Sequence, residues 1–475
     1  MKLTASPKQA NHRQDQSANN GRSPRKSGRF KLPINFRLLY TVLSAAIIIA
    51  GSYLAIRYAQ GSFRVTKQGL LRESGLLAAN SFPTGAQVYV DGKLLTATDD
   101  TVYLEPDTYQ VRIVKDGYSP WQKTLTIKEE LVTQTNAQLF PSAPSITPLT
   151  FTGAQNLLPS PDGLKIVYYS DSANNESKEG LYLLELNDNL NPFQKTSRQI
   201  AAADGRIDLS QADLIWSPDS TQLMILGKTR QVLIDVNRKN QLAEMPDITF
   251  KRKQILTEWE QEMYLRERQY LEEFPEEMVQ IATRSAKNVY MSPDKKRLLY
   301  TATASAVLPE GIVPPVPATN TQPEERSLKP GSIYVYDSEE DKNFKVAEES
   351  GQSPLNKPLL ANDLYRQTPL DLTSSPSAFT KLQATNSAQT AQKFNTYHSS
   401  LFINTLQWFS DSKHLIFVKE DHIQIMEYDG TNNTTIYSGP FVGKFIYPWP
   451  DGSRLVILTS FSPDTPSNLY SIELK

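Results

Sequence analysis

A short sequence motif decides the fold. Its first copy is Ser160-Pro161-Asp162-Gly163, which is followed directly by the apolar run 164–169. Four more copies occur downstream: Ser217-Pro218-Asp219-Ser220, Ser292-Pro293-Asp294-Lys295, Phe409-Ser410-Asp411-Ser412 and Trp449-Pro450-Asp451-Gly452. Pro, where present, presets φ for a turn, and Asp can accept a hydrogen bond from the backbone two residues on. We therefore interpret one residue of each copy as a structural turn former rather than a metal ligand or catalytic group: Asp162, Asp219, Asp294, Asp411 and Asp451.

Each turn is followed by an apolar run and then, after a variable gap, by a second alternating run. In the first copy these runs are 164–169 and 181–186, and in the second they are 223–226 and 231–236. Such a unit, copied along a chain, predicts antiparallel strands in sheets that stack to cover each other's apolar faces. The repeats therefore predict an irregular β-propeller over residues 145–475.

The repeated Ser-Pro-Asp-Gly turns resemble the WD40-like repeats of TolB-type periplasmic propellers and of the propeller domains in prolyl-oligopeptidase-family enzymes. The spacing is less regular than the turns. Successive Asp residues lie 57, 75, 117 and 40 positions apart, and only the last interval is near the roughly 40–45 residues of a compact blade. Insertions are therefore expected at about 240–288, 304–331 and 349–402, which leaves the number of blades open between five and seven.

The insertions differ in character. The first contains a predicted helix, 257–274, because Thr257 and Glu260 fit a capping box and Pro275 ends the pattern. The second holds six prolines, and Ser, Thr, Asn, Gln and Pro dominate the third. Both of these compositions predict loops.

A membrane span is predicted upstream. The 19 residues from Leu38 to Ile56 carry no charge, and a helix of about that length crosses a hydrocarbon core of roughly 30 Å. We predict a transmembrane helix at 38–58, with a buried soluble helix or a cleaved signal peptide as alternatives. The preceding basic region is long for a signal peptide, and no small-x-small site closes the apolar run.

The charge distribution predicts the orientation of this span. Residues 1–37 carry nine Lys or Arg and one acid, Asp15, so the positive-inside rule places this disordered tail in the cytoplasm and the bulk of the chain outside. The whole chain has 50 Lys or Arg and 51 Asp or Glu, so the part after the tail has 41 basic and 50 acidic residues. The remainder is mildly acidic, and no nucleic-acid partner is expected.

A small β-rich module is predicted at 76–140, after a linker at 59–75. Its motifs are Pro83-Thr84-Gly85-Ala86, Val88-Tyr89-Val90-Asp91-Gly92-Lys93, Leu104-Glu105-Pro106-Asp107-Thr108-Tyr109, Lys115-Asp116-Gly117-Tyr118 and Trp121. They resemble a PEGA domain, with Thr84 in place of the family's Glu and Asp107 where a Gly is usual. The resemblance implies a small β-sandwich of an envelope protein that binds surface polymers or other proteins. The candidate surface contacts are Tyr89, Tyr118 and Trp121, as a sugar-stacking face or as packing residues.

The sequence contains few motifs typical of catalytic or metal-binding sites. The chain has no cysteine, and its four histidines lack the spacing of zinc motifs. It contains no Gly-x-Ser-x-Gly nucleophile elbow and no Gly-rich phosphate loop. We therefore expect no cofactor, no metal and no enzymatic activity.

The sequence as a whole predicts a mainly β envelope protein, anchored by one transmembrane helix with its N-terminus in the cytoplasm. Its PEGA domain and propeller would bind cell-wall polysaccharide or envelope proteins. Two alternatives stay open. One is a propeller-type hydrolase or lyase acting on cell-wall glycan, and the other is a transmembrane ligand sensor.

Overall fold

The computed structural model describes residues 36–59, 63–65, 71–171, 178–187, 197–316, 320–349, 406–442, 445–462 and 465–475. The chain divides into two compact units, Met1–Gln60 and Gly61–Lys475. The predicted fold class is confirmed: one apolar N-terminal helix is followed by a mainly β chain. The predicted tail at 1–37 lies outside the described residues, apart from its last two, and so does nearly all of the insertion at 349–402.

Helix α1 (Phe36–Ala59) forms the described part of the first unit. Its segment Leu39–Ile56 is long and apolar enough to cross a membrane, a property it shares with signal sequences. The hydroxyl of Ser44 donates to the carbonyl of Tyr40 at 2.6 Å, which satisfies this polar group within the helix. The described side chains of this segment are all exposed, as expected of a helix that is apolar on every face.

The second unit begins with a hairpin and a small sandwich. Its strands are β1 (Phe63–Val65), β2 (Leu71–Glu73), β3 (Gly75–Ala79), β4 (Ser81–Phe82), β5 (Gln87–Val90), β6 (Lys93–Ala97), β7 (Asp100–Leu104), β8 (Asp107–Val114), β9 (Trp121–Ile127), β10 (Val132–Gln134) and β11 (Ala137–Gln138). The antiparallel pair β1–β2 lies in the segment predicted as a linker.

Two main sheets make the sandwich, in the strand orders β10-β3-β7 and β6-β5-β8-β9, with the short pair β4–β11 beside them. Their facing side chains, among them Leu77, Val88 and Ile113, form one buried core. Asp91 and Gly92 both take positive φ between β5 and β6, as the predicted two-residue hairpin turn requires.

The first part of the propeller follows. Its strands are β12 (Ile146–Pro148), β13 (Gln155–Pro159), β14 (Lys165–Ser170), β15 (Gly180–Glu185), β16 (Ser197–Ala202), β17 (Asp213–Trp216), β18 (Gln222–Leu226), β19 (Gln231–Asp235) and β20 (Asn240–Gln241). Blade 1 is β13-β14-β15-β16, to which β20 adds in parallel, and blade 2 is β17-β18-β19.

The second part comprises β21 (Ala286–Met291), β22 (Arg297–Ala302), β23 (Ala306–Val307), β24 (Ser327–Leu328), β25 (Ser332–Asp337), β26 (Lys342–Glu348), β27 (Gln407–Trp408), β28 (His414–Lys419), β29 (His422–Glu427), β30 (Thr434–Ser438), β31 (Ile446–Pro448), β32 (Arg454–Thr459) and β33 (Asn468–Glu473). Blade 3 is β21-β22-β25-β26, and blade 4 is β27-β28-β29-β30. Blade 5 is β31-β32-β33, completed on its outer side by β12. Within the described residues the propeller therefore has five blades, one for each copy of the repeated turn.

Neighbouring blades share buried cores. One core joins blades 1 and 2, another blades 3 and 4, another blades 4 and 5, and another blades 5 and 1. Because β12 precedes blade 1 in the chain and pairs antiparallel with β33, it fastens the beginning of the propeller to its end.

The remaining position, between blades 2 and 3, is filled by the helical insertion. Helix α2 (Arg252–Leu271) packs Trp259 and Met263 on blade 2, whereas its last residue and helix α3 (Glu276–Arg284) pack on blade 3. The predicted start at Thr257 was wrong. Helix α2 begins at Arg252, and the Thr257 hydroxyl bonds back to the Lys253 carbonyl from inside the helix. The insertion thus completes the cycle of packing.

Candidate functional site

The five repeated aspartates lie in the tight turns between the first and second strands of the blades. In every copy the carboxylate accepts the backbone N–H two residues on, at 2.8–3.1 Å. The residue that follows each Asp has φ between 58° and 76°, a conformation that Gly163 and Gly452 adopt without strain. Asp162, Asp219, Asp294, Asp411 and Asp451 therefore act locally as turn residues.

An apolar cavity of about 320 Å³ lies where the turns of several blades converge. The prolines of three turns line it, namely Pro161, Pro293 and Pro450. Its polar side chains are engaged by neighbouring blades, since the indole of Trp408 donates to the Tyr290 carbonyl at 3.2 Å and the Ser410 hydroxyl to the Trp449 carbonyl at 2.5 Å. This cavity is concave and apolar, but few of its hydrogen-bonding groups are available to a ligand.

The polar groups of the second unit converge elsewhere, where the sandwich meets blades 3 and 4. Lys123 on β9 lies 2.5 Å from a carboxylate oxygen of Glu427 and 2.5 Å from one of Asp429. Its side chain is 8% exposed and that of Asp429 is 0% exposed. Burial disfavours both charges. Their mutual attraction nevertheless outweighs it, so the pKa of Lys123 is raised and that of Asp429 is lowered.

Strand β9 is the edge of its sheet, and the propeller covers that edge. The indole N–H of Trp121 donates to Glu427 at 2.5 Å, and the Gln122 backbone N–H donates to the Asn432 side chain at 2.8 Å. The amide of Gln322, from the insertion at 304–331, donates to the Thr124 carbonyl at 2.8 Å. The propeller thus satisfies backbone groups that an open edge would leave to solvent or to another chain.

A second ion pair supports the same contact from within the propeller. Arg297 of β22 donates to Asp337 at 2.7 Å, and its guanidinium lies 4.4 Å from the ring centre of Tyr428. The Asn320 amide donates to Asp429 at 2.7 Å. Blade 3, blade 4 and the sandwich therefore share one polar network.

We call the space enclosed by this network the interdomain cleft. It has a volume of about 430 Å³, and its lining residues are Trp121, Lys123, Leu125, Val132, Thr133, Gln134, Thr135, Asn136, Arg297, Asn320, Thr321, Glu340, Lys413, His414, Glu427 and Tyr428. The half-buried Glu340 accepts the Asn320 backbone N–H at 2.6 Å. Burial raises the pKa of this carboxyl. The cleft combines concave shape with converging polar groups, the usual features of a binding site.

His414 sits at the base of the interdomain cleft. Its Nδ1 lies 2.6 Å from Asp411, and its ring packs edge-on against Phe140 at 5.3 Å. Burial disfavours the charged ring, but the Coulomb attraction of Asp411 outweighs it and raises the pKa of His414 above 6.5. Sequence reasoning assigned Asp411 only to a turn; the structure adds this ion pair.

This pair predicts a pH dependence of stability. Because the pKa of His414 is higher in the folded than in the unfolded protein, its protonation stabilises the folded state. This stabilisation is complete below the unfolded-state pKa of about 6.5 and is lost as the pH rises through the folded-state pKa. We expect the melting temperature to fall from pH 6 to pH 9, and to fall less in His414→Gln. The control is His422→Gln, since His422 is exposed. An equal fall in His414→Gln and the wild type would refute this role.

The three aromatic residues proposed as surface contacts lie in different settings. Trp121 is 2% exposed and belongs to the sandwich core. Tyr118 is half-buried against that core, and the hydroxyl of half-buried Tyr89 bonds Gln87 at 2.9 Å. Trp121 therefore acts in the domain contact, whereas Tyr89 and Tyr118 keep partial exposure. Among the described residues, no three His, Asp or Glu side chains converge as metal ligands would.

Comparisons with known proteins found one matching family and several similar solved structures. Residues 74–143 match the PEGA domain family. No curated protein matches the sequence. Similar solved structures include a putative TolB from Agrobacterium tumefaciens, at 12% identity over 69% of this chain and 86% of that one, with a TM-score of 0.21.

Two further solved structures are similar to this chain. An oligogalacturonate lyase from Vibrio parahaemolyticus is 9% identical over 82% of this chain and 97% of its own, with a TM-score of 0.24. The β-propeller domain of the Trilobed protease from Pyrococcus furiosus is 12% identical over 85% and 97%, with a TM-score of 0.19. Residues 74–143, which match the PEGA domain family, pack on the propeller through the buried contact of Lys123 with Asp429.

Proposed function

We propose that this protein is a membrane-anchored, extracytoplasmic binding or scaffold protein of the bacterial cell envelope. Its PEGA domain and propeller would present one joint surface to cell-wall polysaccharide or envelope proteins. The observation that carries this proposal is the buried contact of Lys123 with Glu427 and Asp429.

The contact favours a joint surface over a spacer role for the PEGA domain. Domains that act as spacers are normally joined by exposed flexible linkers with few contacts across them. Here the ion pairs are buried, and the β9 edge is capped by three propeller side chains, Asn432, Thr321 and Gln322. Such a contact fixes the relative position of the walls of the interdomain cleft.

We also propose that the protein is not an enzyme. Most carboxylates near the interdomain cleft are held by cations: Asp429 by Lys123, Asp337 by Arg297 and Asp411 by His414. A glycan hydrolase is the second candidate. One observation favours it: two carboxyl groups, those of Glu340 and Glu427, line the same cleft, and glycosidases use a pair of carboxyl groups.

A capture experiment tests the binding proposal. Residues 61–475, a compact unit of their own, are immobilised and exposed to purified cell-wall polymers and to envelope extract. We expect retention of a polymer or a defined envelope protein, and weaker retention by Lys123→Ala, which loosens the joint surface. The matched control is Lys165→Ala, since Lys165 pairs with Asp162 within the propeller. Failure to retain any envelope component would refute the proposal.

Protease protection in cells that produce the full-length protein tests the proposed topology. With the basic flank of α1 in the cytoplasm, protease added outside spheroplasts should digest the propeller and leave a tagged N-terminus protected. Protection of the propeller would contradict an extracytoplasmic function. Release into the periplasmic fraction of a protein that lacks only its N-terminal segment would indicate a cleaved signal sequence instead.

A further inference from the structure

We propose that the interdomain cleft binds an uncharged, polyhydroxylated ligand, a short segment of a neutral glycan. This inference rests on the proposed envelope-binding function and names its ligand class. Three features of the cleft argue for it: its size and opening, the pairing of its charges, and the occupancy of the strand edge beside it.

The cleft has the size and access of a small-ligand site. Its volume of about 430 Å³ lies within the range of roughly 300–1,000 Å³ typical of such sites. Val132, Gln134 and Asn136 on one wall and Lys413 on the other are exposed, so the cleft opens to solvent between the two domains. A ligand can therefore enter without separating them.

The pairing of charges decides the class of ligand. Lys123, Arg297 and His414 each face a carboxylate at 2.7 Å or less. Among the described lining residues, the cation left without such a partner is Lys413, which is exposed at the rim. A phosphate, sulfate or uronate entering the cleft would meet no unpaired buried cation and would have to displace an existing ion pair.

The hydrogen-bonding capacity that the lining residues keep fits hydroxyl groups instead. Glu340 makes no ion pair within the described part of the chain, and its carboxylate can accept hydrogen bonds beyond that from Asn320. The opposite wall supplies the Thr133 hydroxyl and the amides of Gln134 and Asn136, which bond each other at 3.2 Å and keep further donors and acceptors. Donors, acceptors and one carboxylate facing each other across a cleft suit the vicinal hydroxyls of a sugar, which both donate and accept.

Aromatic stacking contributes little to this recognition. The ring of Tyr428 is covered by Arg297 at 4.4 Å, and Lys123 lies 5.9 Å from the ring of Trp121. Both rings are at most 8% exposed. We therefore expect modest affinity, carried by hydrogen bonds and insensitive to salt, because no net charge is exchanged.

A polar peptide is the competing ligand, and the strand edge argues against it. Peptides commonly add a strand to an open sheet edge or insert side chains into an apolar groove. The β9 edge beside the cleft is already bonded to Asn432, Thr321 and Gln322. Strand β10 offers only three residues, and Val132 is the exposed apolar side chain of the lining.

The test is calorimetric titration of the full-length protein in detergent. The neutral probes are the tetrasaccharide of N-acetylglucosamine and maltotetraose. Tetragalacturonate is the anionic comparison, and a neutral polar hexapeptide is the peptide comparison. We expect a neutral tetrasaccharide to bind and Glu340→Gln to weaken its binding about tenfold, because the charged acceptor is replaced by a neutral amide and one accepting oxygen becomes a donor. Gln134→Ala, on the exposed wall, should weaken it as well.

Glu339→Gln is the matched control, since Glu339 is exposed, pairs with Lys296 and does not line the cleft; it should bind as the wild type does. Tighter binding of tetragalacturonate or hexapeptide, or unchanged affinity in Glu340→Gln, would overturn the inference. Loss of neutral glycan binding with continued capture of an envelope component would reject this ligand and leave the proposed function standing. Shortened tetrasaccharide products after incubation would support the glycan site and reject the non-enzymatic proposal.

Discussion

Trp216→Ala should lower the free energy of unfolding of the second unit by about 3–5 kcal/mol, the usual cost of truncating a buried Trp. Trp216 is 0% exposed and packs in the core shared by blades 1 and 2. Its indole N–H donates to the Leu158 carbonyl of the neighbouring blade at 3.2 Å. Truncation would leave both a cavity and an unsatisfied buried carbonyl, so the blade contact itself is weakened.

Urea denaturation of residues 61–475, followed by circular dichroism, measures this effect. Trp216→Phe fills most of the space but cannot donate, and should cost less than Trp216→Ala. Phe250→Ala is the control, because Phe250 is fully exposed beside α2, and it should change the midpoint little. A loss below about 1 kcal/mol in Trp216→Ala would mean that the two blades do not depend on this anchor.

The repeated turns predicted five of the blade units but left the total number of blades open, and they did not predict every strand. Sequence patterns predicted the second and third strands, which are rich in apolar residues, such as β22 and β32. The first strands of the blades were not predicted, from the six-residue β21 to the two-residue β27. Strand β12 was missed as well: it has three residues, all exposed, and its place is set by pairing with β33.

The start of α2 was misplaced because its N-terminus lacks a side-chain cap. The N-cap residue is Lys251, and its side chain makes no capping bond. Thr257 and Glu260 match the spacing of a capping box, but tertiary packing on blade 2 extends the helix through them. Local signals of this kind are overridden when burial of an apolar face supplies more free energy.

The interdomain cleft was not predicted, although one signal was present. In β9 every second side chain is buried, namely those of Trp121, Lys123, Leu125 and Ile127. This alternation places Lys123 on the same face as Trp121 and Leu125, and a Lys on an apolar face indicates a buried partner. The partner itself could not be found, because Asp429 lies 306 positions away.

Lys123→Ala should destabilise the docked arrangement by about 3–5 kcal/mol, since removing one partner leaves buried charge uncompensated. Glu427 and Asp429 share this cation, and their side chains are 13% and 0% exposed. We expect the PEGA domain to separate from the propeller before either unfolds, because each has its own core. Thermal scans read by tryptophan fluorescence should show an added early transition, because the Trp121 indole that bonds Glu427 becomes exposed when the domains separate. Small-angle scattering should show a larger radius of gyration.

A double substitution separates the cost of burying charge from the attraction between the charges. If desolvated carboxylate is the main cost in Lys123→Met, then adding Asp429→Asn should recover part of the lost stability, because the neutral amide needs no cation. The control Lys165→Ala should cost at most about 1 kcal/mol, since Lys165 and Asp162 are 21% and 31% exposed. Additive losses in the double variant would show that Lys123 and Asp429 contribute independently, with no coupling free energy between them. A single unchanged transition in Lys123→Ala would show that the capped β9 edge, rather than the ion pair, holds the two domains together.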